Sequence, residues 1–269
     1  MLVTGGIVPH PPVLVPEIGC DRLAEVAATS EALSRLAARV GDASPDVVIM
    51  SGPHHPRARH GRAGVVSAAK LRGDFADFGC PDVSRSVDGS PELAAAVLAA
   101  VLPLETHEIK SGELDWGYLV FLDAAARLGY RPVVLPISLA WAPLIACFQF
   151  GAALAEALQK AFPAKRLSWV ASGDLSHCTR KGMGREYDPW GKKFDEIVVA
   201  AVRDWHPDAI LSISGPELVK AMQCGAPSFA AGMGFYSRAE AAPCVLSYED
   251  PFGVGYLVAQ IEVKGGSPN

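Results

Sequence analysis

Leu167-Ser168-Trp169-Val170-Ala171, running straight into Ser172-Gly173-Asp174-Leu175-Ser176-His177, reads as a β-strand that ends in a loop of small, turn-forming and chemically active residues. The strand portion is short and continuous rather than alternating, which is the pattern of a strand covered on both faces. Working outward, similar runs recur at Gly6-Ile7-Val8, Val47-Val48-Ile49-Met50, Val65-Val66, Val133-Val134-Leu135 and Tyr256 to Val263. Helical spacing lies between them. Leu23, Val26, Ala27, Leu33, Leu36, Ala37 and Val40 fall at three- and four-residue steps, and Ser90-Pro91 opens a helix over Leu93 to Val101. Further helices fit Tyr118 to Leu128, Leu144 to Phe162, Lys193 to Trp205 and Glu217 to Gln223. Alternating strands and helices predict an α/β fold, a single layered domain over residues 1–269 with a central, mostly buried sheet flanked by helices.

The bulk composition agrees with a packed enzyme-like chain. Of 269 residues, 50% are apolar and 20% charged, too hydrophobic for a disordered segment. A formal charge of −5 argues against a nucleic-acid-binding surface, which needs surplus Lys and Arg on one face. The N-terminal stretch has no basic region and meets His10 and three prolines early, so a cytoplasmic location is expected. Six cysteines without a CxxC pair read as reduced thiols. Val133 to Ala155 carries no charge, but Pro136 and Pro143 break it into a strand, a loop and a buried helix rather than a membrane span.

Ligand sites in open α/β sheets collect beyond strand ends, so the polar residues there matter most. The first strand runs into Pro9-His10-Pro11-Pro12, the second into Ser51-Gly52-Pro53-His54-His55-Pro56, and a third into the loop carrying Asp174 and His177. Four of the seven histidines therefore sit at three strand ends. Taken singly, each reads equally well as a hydrogen-bonded loop histidine; three strand ends at once favour a common metal site. Two neutral imidazoles plus an anionic ligand leave open positions on a divalent ion, and a further histidine nearby suits acid–base work. The third ligand is left between Cys224 and Glu249. The alternatives are a small buried thiol at Cys224 and a turn carboxylate capping backbone N–H groups at Glu249. Asp174 is placed to orient an imidazole, or simply to bond its own turn. His60, His107 and His206 lie in polar surroundings and read as surface residues. The sequence contains no dinucleotide fingerprint, P-loop, HExxH or nucleophile elbow.

Together, Gly6-Ile7-Val8-Pro9-His10-Pro11-Pro12, Ser51-Gly52-Pro53-His54, Ser172 to His177, Cys224-Gly225 and Tyr248-Glu249-Asp250-Pro251-Phe252-Gly253-Val254-Gly255-Tyr256 resemble the class III extradiol ring-cleavage dioxygenase (LigB-like) superfamily. The resemblance is closest to its AMMECR1-associated and Memo-like branch and covers nearly the whole chain in order. It implies Fe(II), with Zn or Cu as substitutes, held by His10 and His54 and a third ligand. It also implies His177 as the acid–base residue, and a small catechol-type substrate with O2. Trp116, His55, Tyr248 and Phe252 are expected to wall the pocket, or else to be ordinary packing residues. The Memo-like members imply instead a His10, His54, Cys224 set without settled ring cleavage; a zinc hydrolase is a further alternative. The sequence departs from the dioxygenase pattern at Asp115-Trp116-Gly117, where many members read Asp-His-Gly, so an indole that cannot shuttle protons replaces an imidazole. Pairing with a second small subunit, or with copies of itself, is a further expectation. Leu144 to Phe150, with Trp141 before it, is read either as the contact face or as buried core.

Overall fold

The computed structural model describes residues 1–181 and 186–265. Its strands are β1 (Gly5–Val8), β2 (Val47–Gly52), β3 (Ala63–Val66), β4 (Lys70–Phe75), β5 (Cys80–Asp88), β6 (Thr106–Ile109), β7 (Val134–Leu139), β8 (Leu167–Ser172), β9 (Ala241–Glu249) and β10 (Tyr256–Val263). Its α-helices are α1 (Pro16–Gly19), α2 (Ala27–Asp42), α3 (Pro91–Ala99), α4 (Trp116–Arg127), α5 (Leu144–Ala161), α6 (Pro189–Arg203), α7 (Pro207–Leu211), α8 (Gly215–Lys220) and α9 (Ala226–Tyr236). Eight strands form one sheet in the order β6-β3-β7-β2-β8-β1-β10-β9, and β4 pairs with β5 as a separate hairpin. The central strands β7, β2, β8 and β1 are mutually parallel, while β10 runs antiparallel to both β1 and β9.

Both faces of this sheet are covered, as continuous apolar strands require. Successive residues of β2 divide between the two cores. Val47 and Ile49 pack with Leu93 of α3, Phe150 of α5, Phe194 of α6 and Phe229 of α9. Val48 and Met50 pack with Leu33 and Leu36 of α2, Phe121 of α4 and Phe75 of the hairpin. Each such fully buried side chain contributes about 1.5–3 kcal/mol relative to exposure. Among the described residues, no helix is long and apolar enough to cross a membrane.

Two expectations need correction, and at a third place the burial agrees with one of two readings. Pro136 does not end its strand: β7 continues to Leu139, because proline's fixed φ suits an extended chain and the antiparallel partner β3 pairs only with residues 137–139. The helix expected over Glu217 to Gln223 is the shorter α8, which leaves Gln223 and Cys224 in the turn before α9. The apolar stretch around Leu144 mostly turns inward, as the core reading has it, with Leu144, Cys147 and Phe150 buried, while Trp141 and Ile145 are exposed.

The strand order explains why distant loops meet. β2, β8 and β1 are adjacent and parallel, so the loops after all three leave the same edge of the sheet side by side. Gly173 lets one of them close onto the Cys224 turn: a Cβ at Gly173 would lie 2.1 Å from the Gly225 Cα.

Candidate metal centre

His10 leaves β1 between prolines and is only 2% exposed. Its backbone N–H donates to Asp174 Oδ1 at 2.9 Å, and its ring Nδ1 lies 3.0 Å from Ser172 Oγ. The Ser172 hydroxyl donates its one hydrogen to the Gly117 carbonyl, so towards His10 it can only accept. The proton of His10 therefore sits on Nδ1. Its Nε2 carries a lone pair, 3.5 Å from Cys224 Sγ and 4.0 Å from Asp174 Oδ2. Fixing the tautomer through the far nitrogen is how proteins prepare a ligating imidazole.

His54 meets His10 edge to face, with centroids 5.0 Å apart, and its other face stacks on Trp116 at 4.8 Å. Burial pushes its pKa down to about 4, and burial likewise lowers that of His10. Both rings are thus neutral at physiological pH, as metal ligation demands. Cys224 Sγ accepts the Asp174 backbone N–H at 3.2 Å. Burial, reinforced by the Asp174 carboxylate, pushes the thiol far above its ordinary range, so it ionises only with a cation beside it.

Donor atoms of His10, His54 and Cys224 all lie within 4.8 Å of one another. Ligands bound at about 2.0–2.3 Å around a tetrahedral ion stand about 3.3–3.8 Å apart, so the spacing fits after small side-chain adjustment. A second overlapping group, Asp174, His177 and Cys224, meets the same criterion. Burial would raise the Asp174 carboxyl, but the imidazoles of His10 and His177 and the N–H of His10 outweigh it and hold the group below the usual range. His177 Nε2 stands 3.8 Å from Asp174 Oδ2, and its side chain remains 21% exposed.

Glu249 is not among these donors. Its Oε1 accepts the backbone N–H and the hydroxyl of Thr29 in the first turn of α2, which is the capping role of a turn carboxylate. Of the four expected pocket residues, only Trp116 faces the site. It stacks on His54, receives Phe78 edge-on at 5.6 Å, and lines a cleft of about 680 Å³ with Arg72, Asp74, Asp77 and Asp115. His55 is buried elsewhere, its Nδ1 accepting the Arg57 N–H. Tyr248 donates to Asp195 Oδ2 at 2.7 Å, and Phe252 lies under the Arg22 guanidinium at 4.2 Å.

Sequence reading missed several participants. Ser172 sets the His10 tautomer, and β4 with the turn after it lines the cleft through Arg72, Asp74, Asp77 and Phe78. Asp115 caps α4, its Oδ1 accepting the Gly117 N–H; its Oδ2 is buried without a partner, and burial raises the carboxyl to about 7. Asp195 is fully buried and accepts the Ser176 N–H, pinning the loop that carries Asp174 and His177. One signal was readable for Asp195. In Phe194, Asp195, Val198, Ala201 and Val202 a carboxylate occupies the apolar stripe of a helix.

This arrangement can be set against known proteins. A family model for the catalytic LigB subunit of aromatic ring-opening dioxygenase matches residues 5–259. The chain belongs to the LigB family. Enzymes of the LigB family are metal-dependent, in keeping with the His10, His54 and Cys224 group. Protein CA_C1420 of Clostridium acetobutylicum is 27% identical over 267 residues, covering 95% of this chain and 56% of that protein. The LigB-family chain thus spans little more than half the length of that curated relative. An uncharacterized protein of Escherichia coli K12, JW3007, has a solved structure that matches with a TM-score of 0.61 at 20% identity, over 96% of this chain and 99% of that one. At that identity the likeness concerns the fold.

Proposed function

We propose that His10, His54 and Cys224 hold a divalent metal, iron(II) first among candidates, and that the protein uses it with dioxygen to open a catechol-type aromatic ring. The observation that carries this reading is the proton bookkeeping at His10, which leaves Nε2 lone-paired and facing the thiol and the second imidazole. Two neutral imidazoles and one thiolate give an iron(II) site the same net charge as two imidazoles and one carboxylate, so Cys224 is an electrostatic equivalent of the expected acid. When bound, the metal supplies the positive charge that brings a catechol and dioxygen together in one coordination sphere.

The chain's own groups do the remaining work. His177, oriented by Asp174 and in touch with solvent, is placed to take a phenolic proton and return it later, a role worth about 10²- to 10⁴-fold. Trp116 offers an aromatic face beside His54 in the cleft, but its indole N–H is a donor only and too weak an acid to shuttle protons.

A second reading, a Memo-like metal protein without ring cleavage, is favoured by the proposed sulfur ligand and by Trp116 standing where the dioxygenase resemblance implies a histidine. Anaerobic reconstitution with iron(II), then metal analysis and oxygen uptake over a panel of catechols, separates the two. Substrate-dependent uptake supports ring opening; bound metal without uptake supports the second reading. His177→Ala should retain its metal yet lose turnover by at least a hundredfold or so.

A further inference from the structure

Two thiols from separate parts of the chain converge on one carbonyl. Cys20 directly follows α1, and its Sγ–H donates to the Glu17 carbonyl at 3.5 Å. Cys80 opens β5, and its Sγ–H donates to the same oxygen at 3.7 Å. The two sulfurs therefore stand no farther apart than those two lengths laid end to end. A thiol is a weak donor and one carbonyl does not require two of them, so hydrogen bonding alone does not account for the meeting. Both thiols are free, Cys20 exposed and Cys80 half-buried, whereas Cys147 and Cys178 are buried. Cys244, also exposed, turns its Sγ to the carbonyl of its neighbour Val245 instead.

The backbone adds a second observation. Cys20 holds a φ of 45°, in the left-handed region that a residue with a Cβ seldom adopts, and such conformations persist where the placement of a side chain matters. Cys80 stands two residues beyond Phe78, whose ring meets Trp116 edge-on and which lines the cleft together with Asp77. The β4–β5 hairpin lies outside the eight-stranded sheet, so strand pairing within that sheet does not hold its turn. A covalent link at Cys80 would.

We propose that Cys20 and Cys80 are an oxidation site, closing into an intramolecular disulfide that fastens the hairpin turn, and with it Phe78 at the cleft, to the end of α1. The oxidant is a low-molecular-weight disulfide. The Cys20 thiolate, the more exposed, attacks one of its sulfurs and releases the first small thiol; the Cys80 thiolate then attacks the Cys20 sulfur and releases the second. The two cysteines lose two electrons and two protons, and the oxidant gains both as two thiols. Bonding distance, about 2 Å, is reached by turning both side chains about Cα–Cβ with a small shift of the turn. In a reducing compartment such a pair is a reversible switch rather than a permanent staple. The inference depends on neither the metal nor ring opening.

The test uses the folded chain incubated with oxidised glutathione, free thiols then being blocked and non-reduced peptides mapped by mass spectrometry. Peptides joined through Cys20 and Cys80 are expected. Amide hydrogen exchange over residues 76–80 should slow several-fold on oxidation of the wild-type chain and stay unchanged in Cys80→Ser. Both cysteines left free, both carrying separate glutathione, a joined pair without slower exchange, or slowing that persists in Cys80→Ser would each overturn the latch.

Discussion

Asp174 ties its own loop to His10, Asp195 ties the same loop to α6, and the two carboxyls are shifted in opposite directions from the usual carboxylate range. Both are buried carboxylates and burial pushes both upward. Around Asp174, two imidazoles and a backbone N–H reverse the push. Asp195 accepts the Ser176 N–H and the Tyr248 hydroxyl, but Lys192 is partly opposed by Asp250, and the carboxyl rises to about 7. The difference teaches that a buried acid becomes a charged site where electropositive neighbours and backbone N–H donors converge on it; where they are fewer it holds its proton up to about neutral pH and serves as a hydrogen-bonded latch.

The comparison can be broken in four ways, taken from the largest expected effect. Asp174→Ala should weaken metal binding about ten- to hundredfold or more, because it frees the His10 N–H and removes the charge beside both imidazoles; equilibrium dialysis with iron(II) measures it. Asp195→Ala should leave metal stoichiometry intact but destabilise the fold by about 2–3 kcal/mol in urea, since two buried donors lose their acceptor. Asp195→Asn tests the protonation state itself. The folded Asp195 binds a proton up to about pH 7, whereas an exposed aspartate releases it near 3.8, so the folded chain holds the extra proton between those values. Stability from this group is therefore greatest at low pH and falls as pH rises towards 7, by on the order of 1 kcal/mol per pH unit. Asparagine should flatten that slope in urea titrations at pH 5, 6 and 7; an unchanged slope would mean that Asp195 is ionised. The smallest effect is expected at the third carboxylate. Glu249→Ala should cost about 1 kcal/mol through the lost bonds to Thr29 and leave metal content untouched.

These contrasts also mark what could be read without coordinates. Continuous apolar strands and a histidine after three of them located the sheet and the imidazole cluster, because strand covering and loop chemistry are both written in local residue order. The third ligand was not local. Cys224 and Glu249 each follow or precede a regular element, and only the packing of Gly173 on Gly225 decides that the thiol reaches His10. The β4–β5 hairpin escaped for a different reason: β5 alternates half-buried and exposed positions occupied by Ser, Asp, Arg and Val, so it has no apolar run to find. Yet its first strand and the turn after it line the cleft. Aromatic residues beside Glu249 drew attention to the wrong end of β9, where Tyr248 serves Asp195 rather than a substrate.

Sulfur among the proposed ligands has a consequence for the cell as well as for the site. A thiolate with two imidazoles is a soft, nitrogen-rich donor set, and such sets bind copper and zinc more tightly than iron(II). The metal found in protein from an overexpressing host would then mirror what that host supplied rather than what the site evolved to use. Protein grown in iron-enriched, zinc-depleted medium and handled without air is the form in which its native cargo can be read.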